Sequence, residues 1–153
     1  MVPGDISESV VAQRASWVLE MTDALRDLPI KNKAEFLQNK HHVAAAESYL
    51  RRSLEALFDI GRHILAKRFA FPATEYKEIA KGLSEKKVIV GIEAESMRKM
   101  AGYRNRMVHF YHEITPEELH EICLNHIDEI RLLLEKMLQW VKENKMGRGI
   151  SNE

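Results

Sequence analysis

The stretch MAGYRNRMVHFYH, residues 100–112, decides how this chain folds and what chemistry it can carry. At about 100° per residue, its spacing predicts a helix in which one stripe is apolar or aromatic at every position but one. The stripe comprises Met97, Ala101, Arg104, Val108 and Tyr111. An arginine keeps its charge at any ordinary pH, so Arg104 needs an anionic partner, a subunit interface or a polar cleft.

The adjacent stripe of the same predicted helix is polar. It holds Asn105, His109 and His112 at positions i, i+4 and i+7. A cation, an amide, two imidazoles and a phenol therefore fall within about two helical turns. Single arginines and histidines on helices are more often packed or salt-bridged structural residues than catalytic ones. The residues by themselves leave both interpretations open.

Outward from this stretch, the sequence predicts an all-α fold. Five helical segments are separated by short turns, at about 7–28, 32–69, 74–86, 91–112 and 115–140. Short loops between long helices favour an antiparallel bundle. In the second segment a seven-residue recurrence predicts a packing seam of Val43, Leu50, Leu57 and Ile64. The β-branched motif at 88–90 is too short to found a sheet, and we expect it to fill the core.

Three of the predicted helices have recognisable start signals. Asn32 and Glu35 have capping-box spacing, and we expect Thr74 to cap the third helix. The motif TPEE at 115–118 combines an N-cap threonine, a proline at the first helical position and a glutamate three residues after the cap. These signals fix where the second, third and fifth helices begin.

The length and charge of the chain narrow the class of protein. Its 153 residues suit one domain with a real core. We assign residues 1–146 to a single helical domain and 147–153 to a flexible C-terminal tail. Lys plus Arg and Asp plus Glu both number 23, so the formal net charge is zero. No global attraction to nucleic acid or anionic membrane follows, and any RNA contact must come from a local patch.

The sequence also indicates the compartment. A single cysteine, Cys123, excludes an internal disulfide and a cysteine-rich metal cage. The N-terminal residues show no basic stretch followed by an apolar run, and no apolar stretch approaches the roughly 20 residues of a membrane span. These features predict a cytoplasmic protein that does not enter a membrane.

The polar cluster carries a resemblance to a known family. Arg104, His109 and Tyr111 satisfy the pattern Arg-x4-His-x-Tyr, and Asn105 directly follows the arginine. This pattern resembles the signature of HepT-like HEPN toxins. HEPN ribonucleases typically carry a polar residue directly after the arginine, as Asn105 does here. Residues 56–64, ALFDIGRHI, are similar to the family's second-helix text. The resemblance covers about residues 32–140 and implies a HEPN-like helical bundle that acts as a toxin ribonuclease.

The resemblance implies metal-independent, cofactor-free RNA cleavage, in which a 2′-hydroxyl attacks the neighbouring phosphate. Arg104 is expected to bind the phosphate and stabilise the charge of the transition state. His109 suits general acid or base work, because an imidazole titrates near neutral pH. Asn105 is expected to orient the imidazole or donate to a phosphate oxygen. The need for a 2′-hydroxyl excludes DNA as a substrate.

The resemblance also implies two protein partners. The first is the cognate nucleotidyltransferase antitoxin of a type VII toxin–antitoxin pair, which would neutralise the toxin by transferring AMP to Tyr111. The second is another copy of the chain. On one continuous helix, Arg104 and His109 differ by about 140° of rotation and about 7.5 Å of rise, so they point in different directions. Two copies facing each other across a two-fold axis would bring both pairs to one cleft, which predicts a homodimer.

Three further residues are possible supporting members of this site. Asp59 and His63 lie at i and i+4 on the second predicted helix, where we expect them to pair with each other or to line the cleft. His112 lies one turn beyond His109.

Two spacings are compatible with metal binding, but neither forms a complete site. Glu117-x-x-His120 matches half of a di-iron carboxylate motif and has no second copy. His109-x-x-His112-Glu113 lacks an obvious further ligand. The sequence therefore predicts no metal site.

One alternative function stays open. The same residues suit a non-catalytic HEPN module that binds nucleotide or a partner protein without turnover. The complete set of arginine, asparagine, histidine and tyrosine favours the ribonuclease, because a scaffold needs no titratable group in such a stripe.

Overall fold

The computed structural model describes residues 4–109 and 114–151, with side chains described up to residue 144. Within these ranges the chain forms α1 (Glu8–Asp27), α2 (Lys33–Gln38), α3 (Lys40–Phe69), α4 (Tyr76–Glu85), α5 (Gly91–Val108), α6 (Pro116–Asn125) and α7 (Ile127–Ser151). The described residues contain no strand, so the predicted all-α class is confirmed. No helix in these ranges is long and apolar enough to cross a membrane.

Two of the five predicted helices are each divided in two. Asn39 ends α2 and caps α3, with φ −110° and ψ 107° and its side-chain oxygen accepting the His41 N–H at 2.9 Å. His126, with φ −122° and ψ 2°, separates α6 from α7. An asparagine side chain competes for backbone hydrogen bonds, which favours the break at Asn39. The number of helices was predicted too low because the apolar periodicity continues across both breaks.

The third helix, α3, is the centre of the bundle and contacts each of the other six helices. Three members of its predicted packing seam, Leu50, Leu57 and Ile64, are fully buried. The fourth, Val43, is partly buried near the start of the helix. The seam is therefore confirmed, and α3 provides a fixed reference for every side chain on its remaining surface.

The predicted caps of α2 and α6 are confirmed. The Asn32 side-chain oxygen accepts the Glu35 N–H at 3.1 Å. The Thr115 hydroxyl accepts the Glu118 N–H, also at 3.1 Å, with proline at the first helical position. Both caps satisfy backbone donors that have no partner inside the helix.

The start of α4 differs from the prediction by one residue. Glu75, not Thr74, is the N-cap residue, and its N–H donates to the Glu78 carboxylate at 3.1 Å. After α4, Val88 and Ile89 are buried as expected, whereas Val90 is 58% exposed. The division into a domain of residues 1–146 and a tail of residues 147–153 stays a prediction.

The helices α3 and α4 approach each other closely at Gly61. A Cβ atom on Gly61 would lie 2.9 Å from the Leu83 Cδ1 atom and 3.0 Å from the Ile79 Cγ2 atom. Both of these side chains are fully buried, so neither has open space to move into. The glycine therefore sets the distance between α3 and α4. This distance matters for the candidate site described below, because Tyr76, the first residue of α4, forms one of its walls.

We expect Gly61→Val to lower the free energy of unfolding by about 1–3 kcal/mol, because its side chain overpacks the contact with α4. Gly102→Val is the matched control, since a Cβ at Gly102 meets no atom within 4 Å. That variant should stay within about 0.5 kcal/mol of wild type. Urea unfolding followed by circular dichroism measures both values, and equal effects at the two positions would contradict the close packing at Gly61.

Candidate functional site

The candidate site lies where the apolar stripe of α5 reaches the surface. Met97 and Ala101 are fully buried, and Val108 is 49% exposed. Arg104 stands between them, with 21% of its side chain exposed. The arginine therefore sits at the edge of the core, shielded from much of the solvent but open at one end.

Arg104 has the anionic partner that its position demanded. The Glu55 Oε2 atom on α3 accepts hydrogen bonds from Arg104 Nε at 3.3 Å and from Nη2 at 3.0 Å. The guanidinium carbon also lies 4.1 Å from the centre of the Tyr76 ring, which is cation–π geometry. The sequence left three possible environments for Arg104: an anionic partner, a subunit interface or a polar cleft. The structure shows an anionic partner within the same chain.

The two residues that hold Arg104 are themselves held. The other Glu55 oxygen, Oε1, accepts from Arg51 Nη1 at 3.4 Å. The Tyr76 ring packs edge-on against Phe58, with 5.1 Å between ring centres. Burial raises the pKa of the Tyr76 phenol, and the positive charge of Arg104 opposes that shift. The phenol therefore stays protonated and neutral near pH 7.

The end of α5 places Asn105 and His109 differently from the prediction. The helix ends at Val108 instead of continuing to His112. His109 is the C-cap residue, with φ −80° and ψ 124°, and its N–H donates to the Asn105 carbonyl at 2.9 Å. The predicted helical stripe joining Asn105 to His109 is therefore wrong, and so is the 140° rotation between Arg104 and His109. The His109 side chain is exposed and the Asn105 side chain is half-buried.

Two of the predicted site residues, Tyr111 and His112, lie outside the described residues. Arg104, Asn105 and His109 are therefore the part of the predicted cluster that the structure places. They lie within the last five residues of α5 and at its C-cap.

Asp59 and His63 take different partners instead of pairing with each other. Asp59 binds Arg14 at 3.2 Å and Arg62 at 3.0 Å. The Asp59 carboxylate also lies near enough to Tyr76 to contribute to the raised pKa of that phenol. Asp59 thus adjoins the wall formed by Tyr76.

The His63 imidazole serves the start of α1. Its Nε2 atom accepts the N–H of Ser7, the N-cap residue of α1, at 2.9 Å. Burial lowers the pKa of His63, and the positive charge of Lys67 lowers it further. These contacts give His63 a structural role.

The described residues include no group of three or more His, Cys, Asp or Glu side chains arranged to hold a metal ion. His120, part of the Glu117-x-x-His120 spacing, is buried and donates from Nε2 to the Ile30 carbonyl at 2.7 Å. Its ring also packs against Phe36 at 5.3 Å. His120 is therefore a core residue. The second spacing, from His109 to Glu113, falls partly outside the described residues.

Sequence reasoning missed Glu55 and Tyr76. The unusual position of Arg104 predicted an anion, but the chain has 23 acidic residues and no local pattern selected Glu55. A search for a carboxylate on the seam helix α3, near its midpoint and beside aromatic Phe58, would have shortened the list. Tyr76 follows a loop and had no periodicity to mark it.

Comparison with known proteins identifies the class of fold. The structure resembles a tri-AMPylated HEPN toxin from Shewanella oneidensis solved in complex with an MNT antitoxin, with a TM-score of 0.78. The two chains are 16% identical, and the match covers 87% of this chain and 99% of that one. A toxin–antitoxin structure with AMP-PNP gives a TM-score of 0.75 at 16% identity, covering 86% and 99% of the two chains. The fold is thus that of the HEPN toxins.

The family follows from the sequence itself. Residues 18–137 match the family described as ribonuclease HepT-like. The chain therefore belongs to the HepT-like ribonuclease family. No curated protein sequence matches it.

The His63 contact predicts a pH dependence of stability. The folded state lowers the pKa of His63 below the ordinary value of 6.5, so the unfolded state binds the proton more readily. The contribution of His63 is complete above about pH 6.5 and is lost as the pH falls through the folded value. His63→Gln should remove this part of the pH dependence, and His41→Gln, on an exposed side chain, should retain it. Urea midpoints measured from pH 7.5 to pH 5 give the comparison. Parallel curves for wild type and His63→Gln would contradict the assignment.

Proposed function

We propose that this protein is a metal-independent endoribonuclease and the toxin of a type VII toxin–antitoxin pair. The observation that carries the proposal is the placement of Arg104, a guanidinium fixed at the edge of the core and five residues before the exposed imidazole of His109. The membership of the HepT-like ribonuclease family supports the same activity. RNA in the cytoplasm is the substrate.

The reaction is a transesterification within the RNA strand. The 2′-oxygen forms a bond to the adjacent phosphorus, and the bond from phosphorus to the 5′-oxygen of the next nucleotide breaks. The proton of the 2′-hydroxyl passes to a base, and the leaving 5′-oxygen takes up a proton. The products are a 2′,3′-cyclic phosphate end and a 5′-hydroxyl end.

Each residue of the cluster has one part in this reaction. Arg104 binds the non-bridging phosphate oxygens and stabilises the negative charge that grows on them. His109 moves the proton, a task for which its exposed imidazole is suited. Asn105, whose half-buried side chain lies one turn before His109, orients the imidazole or donates to a phosphate oxygen. Because the nucleophile is the 2′-hydroxyl, DNA is not cleaved.

The proposed active form is a homodimer. The site has an exposed apolar residue, Val108, directly before His109, and a half-buried cation one turn earlier. A two-fold contact along this end of α5 would cover Val108 and place the Arg104 and His109 residues of both copies around one cleft.

The proposed regulator is a nucleotidyltransferase antitoxin that transfers AMP from ATP to Tyr111. The phenol oxygen bonds to the α-phosphorus of ATP, pyrophosphate leaves, and the phenol proton is released. Tyr111 lies two residues after His109 in sequence, so the attached phosphodiester is expected to reach the cluster. It would supply Arg104 with an anion and repel the RNA backbone. The Shewanella oneidensis toxin is AMPylated in its complex with an MNT antitoxin, which supports this proposal.

We expect Arg104→Ala and His109→Ala each to lower the rate of RNA cleavage by about 100-fold or more, since each removes a transition-state role. Arg98→Ala is the matched control, because Arg98 lies on the same helix but pairs with Glu95 and is 64% exposed. Purified variants are assayed on labelled RNA with EDTA present. Cleavage that EDTA abolishes would contradict the metal-independent mechanism.

The same assay distinguishes the ribonuclease from the alternative function, a non-catalytic HEPN module. A wild-type protein that binds labelled RNA or nucleotide without cutting RNA would be a non-catalytic HEPN module. In that case Arg104→Ala would weaken binding, and no variant would change a cleavage rate.

Incubation with the cognate nucleotidyltransferase, ATP and magnesium should add AMP mass to the peptide that contains Tyr111 and abolish cleavage. Tyr111→Phe should escape both effects because it lacks the accepting oxygen. Tyr103→Phe, which removes a half-buried phenol from α5, is the matched control and should be modified like wild type. Neutralisation of the wild type without a change of mass would mean that the antitoxin acts by binding.

A further inference from the structure

We propose that Glu55 is a positioning residue for RNA cleavage: with the Tyr76 ring, it holds the Arg104 guanidinium so that one end faces the phosphate. This inference rests on the proposed ribonuclease function and gives residues of α3 and α4 a part in the reaction.

The bonding pattern determines which end of the guanidinium is left. One carboxylate oxygen, Oε2 of Glu55, accepts from both Nε and Nη2 of Arg104. These bonds engage the Nε–Nη2 edge of the guanidinium. Among the described residues, the outer end made by Nη1 and the second N–H of Nη2 has no hydrogen-bond partner. That end is the fork that matches two oxygens of a phosphate.

The Tyr76 ring fixes the plane of the guanidinium. The centre of the ring lies 4.1 Å from the guanidinium carbon, a distance at which the two groups stack. The ring cannot turn freely, because Phe58, which is fully buried, packs against it edge-on. Glu55 therefore sets the direction of Arg104, and Tyr76 sets its plane.

The charge balance leaves Arg104 able to bind an anion. Glu55 also accepts from Arg51, so its single negative charge is shared between two cations. Arg51 binds Glu47 as well, at 3.3 Å. The carboxylate occupies the Nε–Nη2 edge of Arg104 and leaves the neighbouring Nη1–Nη2 fork free, so it can remain in place while a phosphate binds.

The alignment of Arg104 with the phosphate determines the size of the expected effect on kcat. A misplacement of about 1 Å in a group that acts on the transition state can cost on the order of 100-fold in rate. Loss of Glu55 leaves Arg104 attached to α5 but free to swing about its long side chain. We therefore expect kcat to fall by about 10- to 100-fold while KM changes little.

The test compares Glu55→Gln and Glu55→Ala with Glu47→Gln. Glu47 lies two turns earlier on α3 and binds Arg51 as Glu55 does, but its ion pair does not include Arg104. The Glu55 variants should lose kcat, and Glu47→Gln should stay within about twofold of wild type. Tyr76→Phe, which keeps the ring, should retain most of the activity, whereas Tyr76→Leu should lose kcat as the Glu55 variants do. Thermal unfolding of each variant shows that the assayed protein is folded.

Three outcomes would overturn the proposal. Equal losses in the Glu55 and Glu47 variants would mean that acidic residues on α3 act only through general charge. A higher kcat or a lower KM in Glu55→Gln would mean that Glu55 competes with the phosphate and inhibits. Loss of the acidic limb of the kcat–pH profile in Glu55→Gln, with the limb kept in His109→Ala, would make Glu55 the general base.

A readout without RNA separates this inference from the ribonuclease proposal. The side-chain Nε–H of Arg104 should give a nitrogen–proton NMR signal that exchanges slowly with solvent because Glu55 accepts from it. Glu55→Gln should speed that exchange, and Glu47→Gln should not. If the signal behaves this way but the wild type cleaves no RNA, the clamp exists and the ribonuclease function fails. Rapid exchange in the wild type would overturn the clamp itself.

Discussion

The packing of α3 against all six other helices is the constraint on which the rest of the structure depends. A helix enclosed in this way cannot shift or rotate without disturbing the whole core, because protein interiors are packed at crystal-like density. Eleven of its 30 residues are buried, among them Leu54, Leu57 and Phe58. Glu55, between them in sequence, lies on the remaining surface with 29% of its side chain exposed. Its carboxylate is thus held on a helix whose movement the surrounding core restricts.

That rigidity explains why an ion pair of modest energetic value can matter for function. Arg104 and Glu55 are both partly exposed, and such pairs add little to stability because water screens them and ordering long side chains costs entropy. The ion pair contributes instead to function, because it fixes the orientation of the Arg104 guanidinium. A carboxylate on α3 and a ring at the start of α4 restrain a guanidinium on α5, so three helices determine the position of one cation. The close contact of α3 and α4 at Gly61 keeps two of those helices in register.

The sequence predicted the helical class, the α3 seam and two of the three caps, because these depend on local periodicity and on hydrogen bonds within a few residues. It located Arg104 as an anomaly in an apolar stripe but could not name Glu55, which is 49 residues away and reaches it only through the tertiary fold. It also extended α5 too far. His109 has no property that forbids a helix, and the apolar periodicity runs past Val108, so no local signal marked the end. Asp59 and His63 were correctly seen as neighbours on one helix, but their partners, Arg14 and Ser7, come from the N-terminal segment.

The early end of α5 changes the physical meaning of the five-residue spacing between Arg104 and His109. On a continuous helix the spacing would fix an angle between the two side chains. Here His109 is in an extended conformation, joined to the helix by one backbone hydrogen bond to Asn105. The spacing therefore limits how far the imidazole can be from the guanidinium without fixing the direction in which it points.

The side chains of Arg104 and His109 are consequently restrained to different degrees. Tertiary contacts among three helices restrain Arg104, whereas His109 lies at a helix terminus and is exposed to solvent. A transferring proton needs a group that can approach two oxygens in turn, and a developing phosphate charge needs a donor that is already in place. In the proposed reaction, Arg104 at the edge of the core would be the donor already in place, and His109 at the end of the helix would be the group that moves the proton.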